Sequence, residues 1–223
     1  MNQLDQQIVV LTADGSHSIV DSQTGETYHS IHGAITESVH VFIRNGFHAC
    51  YKKEIFLLEV GFGTGLNALL TLHEALRTGK KVHYAALEPF PIPMKTVRML
   101  NYPDLLPDNP FEWFIKLHEA PWETEVTIIP DFYLIKHNTH LEHFETNYCF
   151  DLVYFDAFSP AVQPLLWERS IFDRVYSLMA PSSILVTYAA KGQVRRNMQG
   201  AGFQTERLKG APGKREMLRA KKI

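Results

Sequence analysis

The chain has 223 residues, of which 45% are hydrophobic and 21% are charged. This composition is ordinary for a folded domain with a real core, and it excludes a disordered chain or a collagen-like array. The apolar runs are too short to span a bilayer, and the first ten residues do not have the pattern of a secretory signal. The two cysteines, Cys50 and Cys149, lie far apart in the sequence. We therefore expect no disulfide framework, no cysteine zinc site and a cytoplasmic location.

The N-terminal region, residues 1–50, is predicted to be a small extension of the main domain. Residues 7–32 are typical of a β-hairpin arm, with a turn at Gln23-Thr24-Gly25. Residues 34–44 carry apolar side chains at helical spacing, which predicts a short helix.

Residues 51–223 alternate buried strands with helices. We expect strands at 55–60, 81–88, 152–158, 183–189 and 215–220, and two strands around a Pro130-Asp131 turn within 125–137. Helices are predicted at 66–79, from about Ile92, and around 165–178, with a proline-rich connector at 103–121. This order predicts an α/β fold with a doubly wound, mostly parallel sheet between two layers of helices.

A glycine-rich loop, Glu59-Val60-Gly61-Phe62-Gly63-Thr64-Gly65, joins the first buried strand to its helix. The alternating glycines allow a sharp turn and close approach of a ligand, and the helix N-terminus offers unpaired N–H groups. Leu66 stands where a dinucleotide fingerprint needs glycine, and the phosphate-binding Gly-Lys-Ser/Thr sequence does not follow. The loop therefore matches neither a nicotinamide or flavin site nor a P-loop.

The next strand ends at Glu88, where a carboxylate can accept hydrogen bonds from a ribose diol. A glycine loop of this form, followed by an acid at the end of the next strand, is the pattern of an S-adenosyl-L-methionine (SAM) site. The alternative is that the glycines only form a tight strand-to-helix turn. The candidate cofactor-binding residues in this region are Glu59, Gly61, Phe62, Gly63, Thr64, Gly65, Asn67 and Glu88.

The candidate catalytic residues are Asp156 and Phe158, in the sequence Asp-Ala-Phe-Ser-Pro after a buried strand. Ligands of such sheets bind beyond the carboxyl ends of the strands, so Asp156 is expected to face the reactive end of the cofactor and to contact it. There it would orient an amine acceptor, with Phe158 as an aromatic wall. The structural alternative is that Asp156 caps the next helix.

The segments VGFGTGLN, LEPFP, YFDAFSP and VRRNMQGAGF…KGAPGKREML resemble the methyltransferase half of the bifunctional tRNA wobble-uridine enzyme MnmC, whose stand-alone forms are known as MnmD. The resemblance runs from about residue 28 to residue 220. It implies a Rossmann-like SAM-dependent methyltransferase that converts 5-aminomethyl-(2-thio)uridine to 5-methylaminomethyl-(2-thio)uridine. It assigns cofactor binding to the loop glycines and Glu88, the active site to Asp156 and Phe158, and a substrate-side role to Glu37.

Two departures from the family pattern bear on these expectations. The family commonly has Asp beside the adenine at the end of the third strand, whereas this chain has Lys136-His137-Asn138-Thr139. Either His137 or Asn138 is therefore expected to contact the adenine. The flavin-dependent half is expected to be absent, so the aminomethyl substrate would have to come from other enzymes.

The charge distribution predicts an RNA partner. The net charge is −2, but residues 191–222 contain ten basic and two acidic side chains. Such asymmetry indicates a nucleic-acid face, with an ordinary solvated surface as the alternative. The candidate contacts to the phosphates of a tRNA anticodon loop are Lys191, Arg195, Arg196, Lys209, Lys214 and Arg215.

Other features have simpler explanations. The connector aromatics Phe111, Trp113, Phe114 and Trp122 are suited to stacking on a base, but packing on the domain is the expectation. The histidines at 137, 140 and 143 lack the partners of a metal site, so none is expected. Two alternative functions stay open: transfer of a methyl or aminopropyl group to a small amine, and a non-catalytic SAM- or RNA-binding module. The sequence leaves the oligomeric state open, although a monomer is favoured.

Overall fold

The computed structural model describes residues 8–22 and 24–223. The N-terminal arm begins with an antiparallel hairpin of β1 (Ile8–Leu11) and β2 (His17–Val20), which confirms the two predicted strands. The predicted turn at 23–25 includes Gln23, which lies outside the described residues. Around it, the amide of Asp21 donates to the carbonyl of Glu26 at 2.8 Å, so the chain reverses direction here.

The predicted helix over 34–44 is confirmed, in two parts. It begins as α1 (Ala34–Ser38) and continues as a π-helix over Val39–Arg44. Val41, Phe42 and Ile43 are buried in the core of the main sheet. Residues on both sides of residue 50 share this core, and the division of the chain into 1–50 and 51–223 stays a prediction.

Eight strands form the central sheet in the order β5-β6-β4-β3-β7-β8-β10-β9. Their bounds are β3 (Glu54–Val60), β4 (Lys81–Leu87), β5 (Val126–Ile129), β6 (Phe132–His137), β7 (Phe150–Phe155), β8 (Met179–Thr187), β9 (Gln204–Lys209) and β10 (Glu216–Lys221). The five central strands run parallel, whereas β5, β9 and β10 pair antiparallel with their neighbours. The mostly parallel sheet predicted from the sequence is confirmed.

Helices cover both faces of the sheet. They are α2 (Leu66–Thr78), α3 (Met94–Val97), α4 (Phe111–Glu119), α5 (Arg169–Leu178) and α6 (Gly192–Gly200). Side chains of β3 alternate between two cores: Leu57 packs with α1, α2 and α4, and Leu58 packs with α5 and α6. This alternation produces the three predicted layers, because successive strand residues point to opposite faces. Within the described part of the chain, no helix is long and apolar enough to cross a membrane.

Three details differ from the sequence-based expectations. The proline-rich connector contains α4, which buries Phe114 and Leu117 against the core. The helix expected around 165–178 is a 3₁₀ turn over Pro164–Trp167 followed by α5. The edge strand β9 was not expected, because its sequence is largely polar and half exposed.

Candidate active site

A cavity of about 630 Å³ opens at the carboxyl ends of β3, β4 and β7. Here β4 lies on one side of β3 and β7 on the other, which is the switch point where doubly wound sheets bind ligands. The predicted residues that line it are Gly61, Phe62, Gly63, Thr64, Asn67, Glu88, Asp156 and Phe158. The two predicted motifs, the glycine loop and the Asp-Ala-Phe segment, therefore meet at one cavity.

The glycine loop is closely packed on three sides. Gly61, Gly63 and Gly65 all have positive φ angles, of 93°, 47° and 71°. A Cβ atom at Gly61 would lie 2.6 Å from the carbonyl oxygen of Asp156, and one at Gly65 would lie 2.6 Å from Nε2 of His118. Both backbone conformation and space therefore require glycine here, and the loop forms a cradle that can receive a ligand closely.

The carboxylate of Glu88 is fixed at the rim of this cradle. It accepts hydrogen bonds from the backbone amides of Gly63 and Phe90, each at 2.9 Å. Burial raises the pKa of Glu88, against the lowering effect of these two bonds. Each carboxylate oxygen can accept more than one hydrogen bond, so Glu88 can still receive both hydroxyls of a ribose. The cradle and this carboxylate fit the nucleoside part of SAM.

Asp156 lies at the end of β7, with its amide donating to the carbonyl of Val60 at 3.0 Å. Its side chain accepts a hydrogen bond from Nδ2 of Asn67 at 2.8 Å, and not from amides of a following helix. Burial, helped by the negative charge of Glu37, raises the pKa of Asp156 from 3.8 to about 7, while Asn67 and Lys214 act in the opposite direction. Asp156 can therefore gain or lose a proton near neutral pH.

Residues of the N-terminal arm form a wall of the cavity that sequence reasoning missed. The rings of Tyr28 and Phe158 meet edge to face, 5.0 Å apart. Nε2 of His29 lies 2.6 Å from the hydroxyl of Thr64, and burial lowers the pKa of His29 to about 4, which keeps the ring neutral. The hydroxyl of Ser159 donates to Glu26 at 2.8 Å. These contacts join residues distant in sequence, so no local motif could reveal them.

Glu37 and Lys214 form an ion pair beside the cavity. The Lys214 ammonium lies 2.5 Å from Oε1 of Glu37 and 3.9 Å from the centre of the Tyr188 ring, which lines the cavity. Glu37 is almost fully buried, and its second oxygen accepts the Ser30 amide at 2.9 Å. Lys214, predicted to hold an RNA phosphate, is thus engaged with a buried carboxylate.

The two candidate adenine contacts lie beside the cavity and are not among the residues that line it. Nδ1 of His137 is 2.6 Å from Glu123. The side-chain amide of Asn138 donates to the carbonyl of Glu88 at 2.9 Å, so it fixes the backbone at the candidate ribose-binding acid. The cavity at this end is lined by Pro89, Phe90, Thr139, His140 and Leu141. Contact of His137 or Asn138 with an adenine stays a prediction.

A buried polar layer supports the glycine loop from behind. Glu59 is fully buried behind the cavity, and burial raises its pKa well above the usual value. The Lys136 ammonium donates to the carbonyl of His118 at 2.6 Å, and Nε2 of His118 lies 3.1 Å from the carbonyl of Thr64. Burial lowers the pKa of Lys136 to about 8.

The other predicted RNA contacts are not among the residues that line the cavity. Lys191, Arg195 and Arg196 stand at the start of α6, and Lys209 and Arg215 stand on the β9–β10 hairpin. Arg195 is half-buried and the other four are exposed. Among the connector aromatics, Phe114 is buried in the core, and the Lys136 ammonium lies 4.6 Å from the Trp122 ring, which supports packing. Across the described residues, no three His, Cys, Asp or Glu side chains are grouped to hold a metal ion.

Comparison with known proteins agrees with this geometry. Residues 122–223 match the family model described as S-adenosyl-L-methionine-dependent methyltransferase. Two curated relatives are named tRNA 5-methylaminomethyl-2-thiouridine biosynthesis bifunctional protein MnmC. The protein from Aeromonas salmonicida is 30% identical, and the match covers 92% of this chain and 34% of that protein. The protein from Aeromonas hydrophila is 29% identical, and the match covers 89% of this chain and 33% of that protein. The chain thus spans about a third of the length of these relatives.

Solved structures extend the comparison to the fold. The structure named MNMC2 from Aquifex aeolicus is 25% identical, with a TM-score of 0.75 over 98% of this chain and 71% of that chain. DesVI from Streptomyces venezuelae, 14% identical with a TM-score of 0.51 over 85% of this chain and 92% of that chain, shares the fold. The chain is therefore similar to the MnmC proteins over nearly its whole length, and its C-terminal part matches the model of SAM-dependent methyltransferases.

Proposed function

We propose that this chain methylates the aminomethyl nitrogen on C5 of the wobble uridine of tRNA, giving 5-methylaminomethyl-(2-thio)uridine. The observation that carries the proposal is Asp156, a largely buried carboxyl group with a pKa of about 7 where the cofactor cradle meets the end of β7. The names of the MnmC relatives support a tRNA substrate of this kind. A tRNA substrate also supports a cytoplasmic location.

The chemistry requires a neutral amine at the point of transfer. SAM, when bound, supplies an electrophilic methyl group and a neighbouring positive charge. A free alkylamine has a pKa of about 10, so it enters as an ammonium and must lose a proton before it can attack. The pKa of an ordinary aspartate lies about 6 units below that of the ammonium, so proton transfer to it is costly. For Asp156 this pKa difference falls to about 3 units. This difference lowers the cost of proton transfer by roughly 4 kcal/mol.

The walls of the cavity suit a base that has left its stack. Phe158 and Tyr28 present aromatic surface on one side, and Tyr188 lies beside Asp156 on another. RNA-modifying enzymes receive single-stranded or flipped bases between such aromatic side chains. We assign Phe158 to the wall that holds the uracil while Asp156 receives the amine.

The basic surface suits the rest of the anticodon loop. The cations at the start of α6 and on the β9–β10 hairpin, four of them exposed, support phosphate contacts, which position an RNA without reading its sequence. We therefore retain Lys191, Arg195, Arg196, Lys209 and Arg215 as phosphate contacts. We no longer propose Lys214 as a phosphate contact, because its ammonium is paired with Glu37.

The test is single-turnover methylation of tRNA that carries aminomethyl-uridine, followed by nucleoside mass spectrometry from pH 6 to 10. Asp156→Asn should lower the rate by roughly 10²–10⁴-fold, with little change in S-adenosylhomocysteine affinity. Asp151→Asn is the matched control, because it removes a carboxylate at the other end of β7. Loss of the 5-methylaminomethyl nucleoside from tRNA of a strain lacking the protein is expected in parallel. Unchanged tRNA modification in that strain, or a mutant within about threefold of wild type, would contradict the proposal.

A further inference from the structure

Thr64, in the middle of the glycine loop, is held by two segments that are distant from it in the sequence. Its hydroxyl lies 2.6 Å from Nε2 of His29 in the N-terminal arm. Its carbonyl oxygen lies 3.1 Å from Nε2 of His118, near the end of α4. Thr64 itself is buried, so both contacts form out of reach of solvent. The conformation of the loop therefore depends on two histidines outside the motif.

The same two segments also close over the glycines on either side of Thr64. A Cβ atom at Gly63 would lie 3.2 Å from the ring of Tyr28 in the arm. A Cβ atom at Gly65 would lie 2.6 Å from Nε2 of His118. The loop is thus enclosed by ring contacts as well as by hydrogen bonds, and the two kinds of contact come from the same side chains or their neighbours.

Each histidine is fixed in turn by a buried polar side chain. The hydroxyl of Ser18, on β2, accepts a hydrogen bond from the His29 amide at 3.0 Å, and Ser18 is fully buried. The Lys136 ammonium, on β6, donates to the carbonyl of His118 at 2.6 Å, and Lys136 is 1% exposed. These bonds fix the backbone at both histidines. A continuous series of contacts therefore runs from β2 through Thr64 to β6.

The partners of the two rings determine what each nitrogen must do. Nε2 of His118 must carry a hydrogen, because the carbonyl oxygen of Thr64 can only accept. Nε2 of His29 faces a hydroxyl, which can donate or accept, so either arrangement of hydrogens satisfies this pair. A side-chain amide can therefore replace the donor at position 118, whereas an alkyl side chain cannot.

We propose that His29 and His118 are positioning residues that hold Thr64, and with it the glycine loop, in the shape that receives the cofactor. A loop already held in that shape has little freedom to lose on binding, so its affinity is not reduced by time spent in other shapes. The role rests on the proposed function for the identity of the cofactor. The hold on Thr64 is a property of the free protein and can be tested without it.

The first experiment measures S-adenosylhomocysteine binding by calorimetry. His118→Leu removes the donor and should weaken binding roughly tenfold, the scale of one lost hydrogen bond. His118→Gln should stay within about threefold of wild type, because its amide keeps a donor. In methylation assays His118→Leu should raise the KM for SAM and leave kcat nearly unchanged, since the ring holds the loop and not the reacting atoms.

A double-mutant cycle tests the second histidine. Thr64→Val removes the hydroxyl alone, so it should weaken S-adenosylhomocysteine binding about as much as His29→Leu does. The variant with both changes should be no weaker than either single variant, because the two remove the same contact. Thr64→Val combined with His118→Leu should instead show the sum of the two losses, because His118 contacts the carbonyl oxygen.

The second experiment measures backbone hydrogen exchange in the free protein. The amide of Gly63 donates to Glu88 and that of Gly65 donates to the carbonyl of Phe62, both at 2.9 Å. Exchange at such amides follows the population of the opened loop. Both amides should therefore exchange roughly tenfold faster in His118→Leu, in step with the loss of affinity.

His83→Leu is the matched control. It also removes a half-buried histidine with a hydrogen-bonding partner, since Nε2 of His83 lies 3.0 Å from Glu54, but this pair lies near the amino ends of β4 and β3. It should change neither binding nor exchange in the loop. Equal loosening in this control would overturn the inference, because it would indicate a general loss of structure.

Two other outcomes would also overturn the inference. One is binding and loop exchange within about threefold of wild type in both His29→Leu and His118→Leu. The other is a fall in kcat at unchanged KM, which would assign the histidines to the chemistry. If the loop exchanges faster as expected but the wild type does not bind S-adenosylhomocysteine, the proposed function fails while the hold on Thr64 stands.

Discussion

Replacement of Asp156 by Asn should stabilise the protein above neutral pH. In the folded chain, burial raises the pKa of this carboxyl from 3.8 to about 7. Below about pH 4 the carboxyl is protonated in both folded and unfolded chains, so the mutation changes the free energy of unfolding little. Between about pH 4 and 7 the unfolded chain ionises first, and the wild type loses stability as the pH rises. Above pH 7 this loss of stability is complete. It amounts to about 4 kcal/mol, because the pKa of Asp156 differs by about 3 units between the folded and unfolded chains.

The assay is chemical denaturation of wild type and Asp156→Asn at pH 5 and pH 8. The mutant should be more stable by about 4 kcal/mol at pH 8 and by about 1–2 kcal/mol at pH 5. Its side-chain oxygen can still accept the hydrogen bond from Asn67. Asp151→Asn is the control of opposite sign, because that carboxylate pairs with Lys52 at 2.6 Å and accepts the Phe56 amide. A mutant at Asp156 that is no more stable than wild type at pH 8 would refute the reasoning.

Three further predictions concern the cofactor and the RNA. Glu88→Ala should weaken S-adenosylhomocysteine binding by roughly 1.5–3 kcal/mol in calorimetry, since it removes a charged acceptor, and unchanged affinity would exclude a ribose contact. Gly61→Ala should abolish S-adenosylhomocysteine binding and lower the melting temperature, because the added Cβ would lie 2.6 Å from the carbonyl oxygen of Asp156. A variant that binds normally would show that the loop can move aside. Arg195→Ala with Arg196→Ala should weaken tRNA binding and reduce its salt dependence in filter-binding assays, whereas an unchanged salt slope would assign both arginines to plain surface.

The sequence predicted the centre of the fold well because that part is determined by local patterns. The apolar runs before Gly61 and before Asp156 become buried strands, and Gly79 ends α2 in a left-handed conformation, as its position indicated. The helix α4 was missed because a proline-rich segment is typical of a loop. Here Pro110 stands directly before the first helical residue, where a proline costs no helical hydrogen bond, and Phe114 and Leu117 supply the buried face.

The edge strand β9 was missed for a different reason. Its sequence, Gln204–Lys209, is polar and half exposed, because it closes the sheet against β10 alone. An edge strand of this kind buries little apolar surface, so it leaves almost no hydrophobic pattern in the sequence.

The candidate site was predictable where the motif and the geometry coincide, and not where distant segments meet. The glycine loop, Glu88 and Asp156 line one cavity, as strand order alone indicates. Tyr28 and His29 have no motif, because their role comes from the path of the arm across the cavity. Lys214 was assigned to RNA by its charge, whereas the fold pairs it with Glu37. Charge patterns describe a surface on average and do not show which single cation turns inward.

Under the proposed function, cofactor binding and substrate recognition belong to different parts of the chain. The cradle and the acid belong to one rigid unit, because the Asp156 amide bonds to Val60 and Asn67 on α2 holds the carboxylate. The sheet therefore fixes Asp156 relative to the glycine loop, and under the proposed function such a fixed placement would accelerate methyl transfer. We propose that the N-terminal region and the β9–β10 hairpin supply the substrate side, through Tyr28 and the Glu37–Lys214 pair. We therefore expect that changes in these two segments would alter the substrate proposed here while the glycine loop stays intact.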